Sequence, residues 1–132
     1  IHEITHTQLV VGKNVKEDDN EELLPMFMEF IYGYINDTNQ LLYKIKKLAS
    51  YVDGYMFTTS DDVRNETKKY IISTLKAINL YHLYMNSLDI SDEILSDISN
   101  VFNYNITLEE VLDKYDIDLD NSKVHFKELI KK

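Results

Sequence analysis

The chain predicts an all-α fold, a helical bundle of about five helices. Three observations predict it. Only three glycines and one proline interrupt 132 residues, so little stops a helix once it has started. Apolar side chains recur at steps of three and four nearly throughout, the spacing that lines up one face of a helix rather than one face of a strand. Hydrophobic residues make up 44% of the chain and aromatics 11%, ample material for one core.

Residues 1–11 read as the first helix, with Leu9, Val10 and Val11 continuing its buried side and Gly12 as its stop. The polar stretch Lys13 to Asn20 is a loop. From Glu21 a long helical pattern begins, with Pro25 placed in the first turn, where its missing N–H would have no partner anyway. Leu24, Phe27, Ile31, Tyr34, Thr38, Leu41, Ile45, Leu48, Val52 and Tyr55 form one stripe, bent or broken by Gly33 and the polar Asn36 to Gln40 segment. Ser60 caps the next helix, and Asp61 and Asp62 suit the positive end of its dipole. Its stripe runs through Thr67, Tyr70, Ile71, Thr74, Ile78, Tyr81, Met85 and Leu88. Ser91 caps a helix reaching about Phe102. Thr107-Leu108-Glu109-Glu110 is a capping box that opens a short helix ending near Tyr115, and Lys123 to Lys132 makes the last.

With 23 acidic against 14 basic residues, the formal net charge is −9, so a phosphate backbone is repelled and nucleic acid is not an expected partner. The chain has no apolar run long enough to span a bilayer, so no membrane association is expected. The absence of cysteine excludes disulfides and thiolate metal sites and suits a reducing cytoplasm. Ile1 opens the sequence where a start methionine would stand. The expected organisation is therefore one helical domain over 1–132, forming the C-terminal part of a larger protein.

His2-Glu3-Ile4-Thr5-His6 is a complete H-E-x-x-H pentapeptide. On a helix, residues four apart share a face, so His2 and His6 present ring nitrogens to one Zn²⁺ while Glu3 stands beside it as general base. Catalytic zinc commonly takes a carboxylate as its third protein ligand and leaves the fourth position to water. Glu22, at the start of the second helix, is the favoured third ligand, with Glu21 and Glu29 as rivals. Glu29 lies two turns further along the same face, suited to a second-shell role that fixes a histidine N–H.

These segments, Ile1-His2-Glu3-Ile4-Thr5-His6 and then Glu22-Leu23-Leu24-Pro25-Met26-Phe27-Met28-Glu29, resemble the thimet oligopeptidase and oligoendopeptidase F family of zinc metallopeptidases. Lys69-Tyr70-Ile71-Ile72-Ser73-Thr74-Leu75-Lys76-Ala77-Ile78 is similar to the family's tyrosine-bearing helix. Leu108 to Asp118 is similar to its terminal segment, where a short helix precedes a Gly-Ile-Asp-like turn. The resemblance covers the C-terminal catalytic half of a family member. It implies a zincin-like pentapeptide helix packed on the Glu-bearing helix, Tyr70 as a catalytic oxyanion donor, short peptides as substrates, and the missing N-terminal half as a partner. The chain departs from the family at Thr5, which replaces a usual Gly, and at Thr58 and Val63, which replace a His and a first Tyr.

Two rival readings carry different expectations. Asp116-Ile117-Asp118-Leu119-Asp120-Asn121 imitates a calcium loop, but Glu128 falls one position late and Asn121 replaces the turn glycine. A capped helix start explains the same residues. The second rival is a non-enzymatic helical bundle that serves as an interaction or structural module and takes no stoichiometric zinc.

Overall fold

A computed structural model describes residues 5, 20, 22–35, 40–86 and 88–130. Among these, the structure is all-helical with no strand: α1 Leu23–Ile35, α2 Gln40–Phe57, α3 Asp61–Tyr84, α4 Leu88–Phe102, α5 Leu108–Lys114 and α6 Leu119–Ile130. The expected first helix lies outside the described residues except for Thr5, which is helical and buried.

α1 is the buried element. Leu23, Leu24, Met26 and Phe27 have no exposed surface, Phe30 and Ile31 have almost none, and Met28 and Glu29 are half-buried, so among the described side chains of α1 Tyr32 is the exposed one. A helix apolar all round belongs inside a protein. Pro25 occupies its first turn, as expected, while the N–H of Met26 donates to the Glu22 carbonyl at 3.1 Å.

α3 is the hub, packing against α1, α2, α4 and α6. An aromatic seam joins it to α1: Phe27 meets Tyr84 edge-on at 5.8 Å between ring centroids, and Phe30 meets Tyr81 at 5.5 Å. Ser60 caps α3 as expected, its hydroxyl oxygen accepting from the Val63 N–H at 3.3 Å. The buried Thr74 hydroxyl donates to the Tyr70 carbonyl at 2.6 Å, which satisfies it inside the helix.

Several expectations are corrected. The single stripe from Leu24 to Tyr55 divides between α1 and α2, and Leu24, Phe27, Ile31 and Leu48 are buried while Val52 and Tyr55 are exposed. The inward face of α2 instead includes Lys44, Leu48 and the half-buried Ile45 and Tyr51. Thr38 and the side chains of Tyr34 and Leu41 lie outside the described residues. On α3 the buried set is Ile72 to Leu75, Ala77, Ile78, Leu80 and Tyr81, a face too broad for one stripe because several helices surround it. Met85 ends α3, and Leu88, 83% exposed, opens α4 instead of closing the earlier stripe.

Two helix starts also move. α4 begins at Leu88, and Ser91 lies within it, its hydroxyl donating back to the Leu88 carbonyl at 2.9 Å. α6 begins at Leu119, because Asp118 Oδ1 accepts the Asn121 N–H at 2.7 Å and so caps the helix earlier than Lys123. Asn121 Nδ2 also reaches the Asp116 carbonyl at 3.0 Å. The imitation calcium loop is thus occupied by capping. Thr107 caps α5, accepting from the Glu110 N–H at 3.2 Å. That helix ends with Asp116 at φ 57° and the Ile117 N–H bonded to the Leu112 carbonyl at 2.9 Å, a left-handed close of the kind usually given to glycine.

Core position and not stripe membership therefore sets the cost of truncation. Phe27→Ala is expected to lower unfolding free energy by about 3–5 kcal/mol, the usual loss for a buried Phe. Val52→Ala, exposed on α2, should cost less than about 1 kcal/mol. Urea unfolding of the two variants measures the difference, and equal losses would contradict the placement of α1 at the centre.

Candidate functional site

His2, Glu3 and His6 lie outside the described residues, as does Glu21. Thr5, in the middle of the pentapeptide, is helical and buried. The described candidates are Glu22, Glu29 and Tyr70, and all three are drawn to one side of the α1–α2–α3 layer.

Glu22 immediately precedes α1 and is only 6% exposed. The position is held by a neighbour that sequence reasoning missed. Asn20 is buried, accepts from Lys76 Nζ at 3.1 Å and donates through Nδ2 to Glu109 Oε1 at 3.5 Å, so the approach to α1 is tied to α3 and α5. The Leu23 N–H donates to the Asn20 carbonyl at 3.2 Å, which fixes the turn carrying Glu22.

Glu29, two turns along α1, faces α2 and pairs with Lys44 at 3.8 Å. Lys44 is itself buried. Lys44, Lys47 and Tyr51 follow one another at helical spacing, so a single face of α2 brings two ammonium groups and a phenol toward the acidic side of α1.

Tyr70 stacks on Tyr51, with ring centroids 5.5 Å apart and planes 19° from parallel. Burial pushes the Tyr70 phenol above its ordinary range, and the negative charges of Glu22 and Glu66 push the same way. Burial likewise raises the Tyr51 phenol, opposed by Lys47 and assisted by Tyr43, Glu29 and Glu22. Glu22 thus lies within electrostatic reach of both phenols. Tyr51 and Tyr70 line a cleft of about 520 Å³ whose other walls are Asp62, Val63, Glu66 and Thr67.

Both phenols keep their protons at neutral pH and can donate a hydrogen bond into the cleft. Val63, standing where the resembled family carries its first tyrosine, contributes an apolar wall. Thr58 is used locally: its hydroxyl oxygen accepts the Ser60 N–H at 3.1 Å. Tyr51 was not singled out from the sequence, and its one signal was the helical spacing from Lys44 and Lys47. No group of three or more His, Asp or Glu side chains suited to a metal occurs among the described residues, a set that excludes both pentapeptide histidines. Nor is any helix among the described residues long and apolar enough to cross a membrane.

No protein-family model, curated protein or solved structure matches the chain.

A pH dependence follows from the raised phenols. Above the ordinary tyrosine value of 10.0, the unfolded chain loses protons that folded Tyr51 and Tyr70 retain. Their contribution to stability is therefore full below that pH and is lost as pH rises through the folded values. Denaturant midpoints measured across the alkaline range should fall with pH, and less steeply in Tyr70→Phe. An identical slope in the variant would remove Tyr70 from this account.

Proposed function

We propose that the chain is the catalytic part of a zinc-dependent oligopeptidase-type metallopeptidase. His2, His6 and Glu22 hold Zn²⁺, Glu3 is the general base, Tyr70 the oxyanion donor, and Glu29 a second-shell residue. The observation that supports this reading is that Glu22, buried at the head of α1, lies within electrostatic reach of Tyr70, whose phenol lines a cleft. A carboxylate is the oxygen donor that would complete a two-histidine zinc site, and a phenol in its reach would suit charge developing near the metal. The left-handed Asp116, in the turn where the resembled family reads Gly, supports the same alignment of the terminal segment.

Zinc held by His2, His6 and Glu22 would supply an acidified water nucleophile, with a pKa of about 7. Glu3 accepts the proton from the attacking water and returns it to the leaving amine. Tyr70 donates to the tetrahedral oxyanion, and its upward shift keeps that proton in place through neutral pH. Tyr51 brings a second phenol to the same cleft and compensates for the tyrosine lost at Val63. Glu29, neutralised in part by Lys44, orients a ligand histidine. Short peptides are the substrates, reaching the cleft between this region and an N-terminal half of the same protein, in the cytoplasm.

Metal analysis after zinc-replete preparation should give about one zinc per chain, and His2→Ala should abolish its uptake while leaving most helicity. Glu3→Gln should keep the zinc yet lose peptide cleavage when assayed together with the N-terminal half. Tyr70→Phe should lower kcat by about 10²–10³, the usual loss for one oxyanion donor. Zinc uptake undiminished by His2→Ala, or full cleavage by Glu3→Gln, would leave the non-enzymatic helical module as the better account.

A further inference from the structure

α6 docks on α3 through a polar seam. Asn79 Nδ2 donates to Ser122 Oγ at 3.2 Å, and one turn further along both helices His82 Nδ1 and His125 Nε2 lie 3.1 Å apart. The two rungs ascend in the same order on each helix, so each imidazole is held from its own backbone with a matched neighbour one turn away. The rings are 4.9 Å between centroids and tilted by 55°, which keeps them from stacking and turns one nitrogen of each toward the other. A cavity of about 320 Å³ opens beside them, lined by His82, His125, Glu128 and Leu129.

We propose that His82 and His125 form a two-imidazole binding site for a divalent transition-metal ion of the imidazole-preferring class, its other positions filled by water. Zinc-like ions sit about 2.0–2.1 Å from imidazole nitrogen. An ion at that distance from both nitrogens lies about 1.4 Å off the line joining them, on the side where the cavity gives it room. The 3.1 Å separation corresponds to an angle of about 100° at the ion, close to tetrahedral or octahedral demands.

Glu128 lies one turn beyond His125 on α6 and lines the same cavity, so it adds negative charge near the ion without completing a three-ligand group. Remaining positions are open to solvent in the cavity. Imidazole binds metal only through an unprotonated nitrogen, so uptake displaces the proton shared between the rings and weakens in acid. The site is remote in sequence from the pentapeptide and independent of the peptidase reading. Its consequence is a cross-link between the last helix and the hub.

The chain has four histidines, so replacing His2 and His6 with Asn leaves His82 and His125 as the only imidazoles. In that background one equivalent of Co²⁺ should bind per chain and broaden the ring-proton resonances of both histidines in NMR spectra. A further His82→Asn or His125→Asn should weaken Co²⁺ affinity at least tenfold, the loss that even an outer-shell partner typically causes. Glu128→Gln should weaken it by less. Ring resonances that stay sharp at several equivalents of Co²⁺, or affinity unchanged by either histidine substitution, would overturn the site. Where a substitution disturbs helicity by circular dichroism, the broadening in the two-histidine background decides alone.

Discussion

Leu23, Leu24, Met26, Phe27, Phe30 and Ile31 leave α1 almost without a side that tolerates water. Full burial of one such side chain is worth about 1.5–3 kcal/mol, so enclosing this helix outweighs any single polar contact in the molecule. The enclosure dictates the rest of the arrangement. α2 and α3 pack directly on α1, and Ile94, Ile98 and Val101 of α4 with Leu108, Val111 and Leu112 of α5 join the same core. Because Glu22 and Glu29 sit at the head and waist of the enclosed helix, apolar packing carries two carboxylates to places they would not otherwise occupy. Lys44 then has to turn inward to meet Glu29, which explains why a lysine on α2 is buried.

The contacts further out are of a different kind. α6 has Ser122 as its fully buried residue and leans on the core through the partly buried Phe126 and Leu129. Its other attachments to α3 are the Asn79–Ser122 bond and the His82–His125 pair. A neutral hydrogen bond contributes about 1 kcal/mol net, so this helix is held less firmly than α1. Segments of that kind open first under native conditions, and a ligand bridging the seam would act where added stability has most effect. Between α4 and α5 the outer contact is again polar: Lys114 reaches Glu93 at 2.8 Å and Asp97 at 2.9 Å, and the Tyr115 hydroxyl donates to Asp97 at 2.6 Å. The exposed ion pairs there contribute little, and the Schellman-type close that buries Ile117 does more to fix α5.

Local chemistry was the legible part of the sequence. Ser60 and Thr107 cap where a hydroxyl three residues before an amide says they should, since a cap is decided within one turn. Stripes were less reliable, because a periodic pattern records that a face is apolar and not which neighbour covers it. α3 has several neighbours and so shows a broad buried surface, while α2 rotates its inner face to present Lys44 and Tyr51. The last helix starts before the expected Lys123 because Asp118 accepts the Asn121 N–H, a cap three residues before that amide. For the site, Glu22 at a helix head was readable from Pro25 and the pattern after it. Asn20, Lys44 and Tyr51 were not, since their roles come from partners distant in sequence: Lys76 and Glu109, Glu29, and Tyr70.

The electrostatics of the cleft constrain what chemistry it suits. Glu22, Glu29, Glu66 and Asp62 bring carboxylates to this side of the molecule; burial is the main upward push on Tyr51 and Tyr70, and the field of Glu22 adds to it at both. Such a field by itself opposes a developing oxyanion. Two protonated phenols lessen the penalty by donating, but they carry no charge. Among the described cations, Lys44 and Lys47 lie on the α2 side toward Glu29, with Lys47 engaged over the Tyr43 ring at 5.3 Å, and Lys69 pairs with Glu66 at 3.4 Å. In the proposed enzyme a divalent ion held by His2, His6 and Glu22 would add positive charge to this side, with the carboxylates serving as ligand and orienting groups and the phenols as hydrogen-bond donors. Without such an ion the same residues describe a buried acidic end of a helix, its approach fixed by Asn20, near two stacked tyrosines.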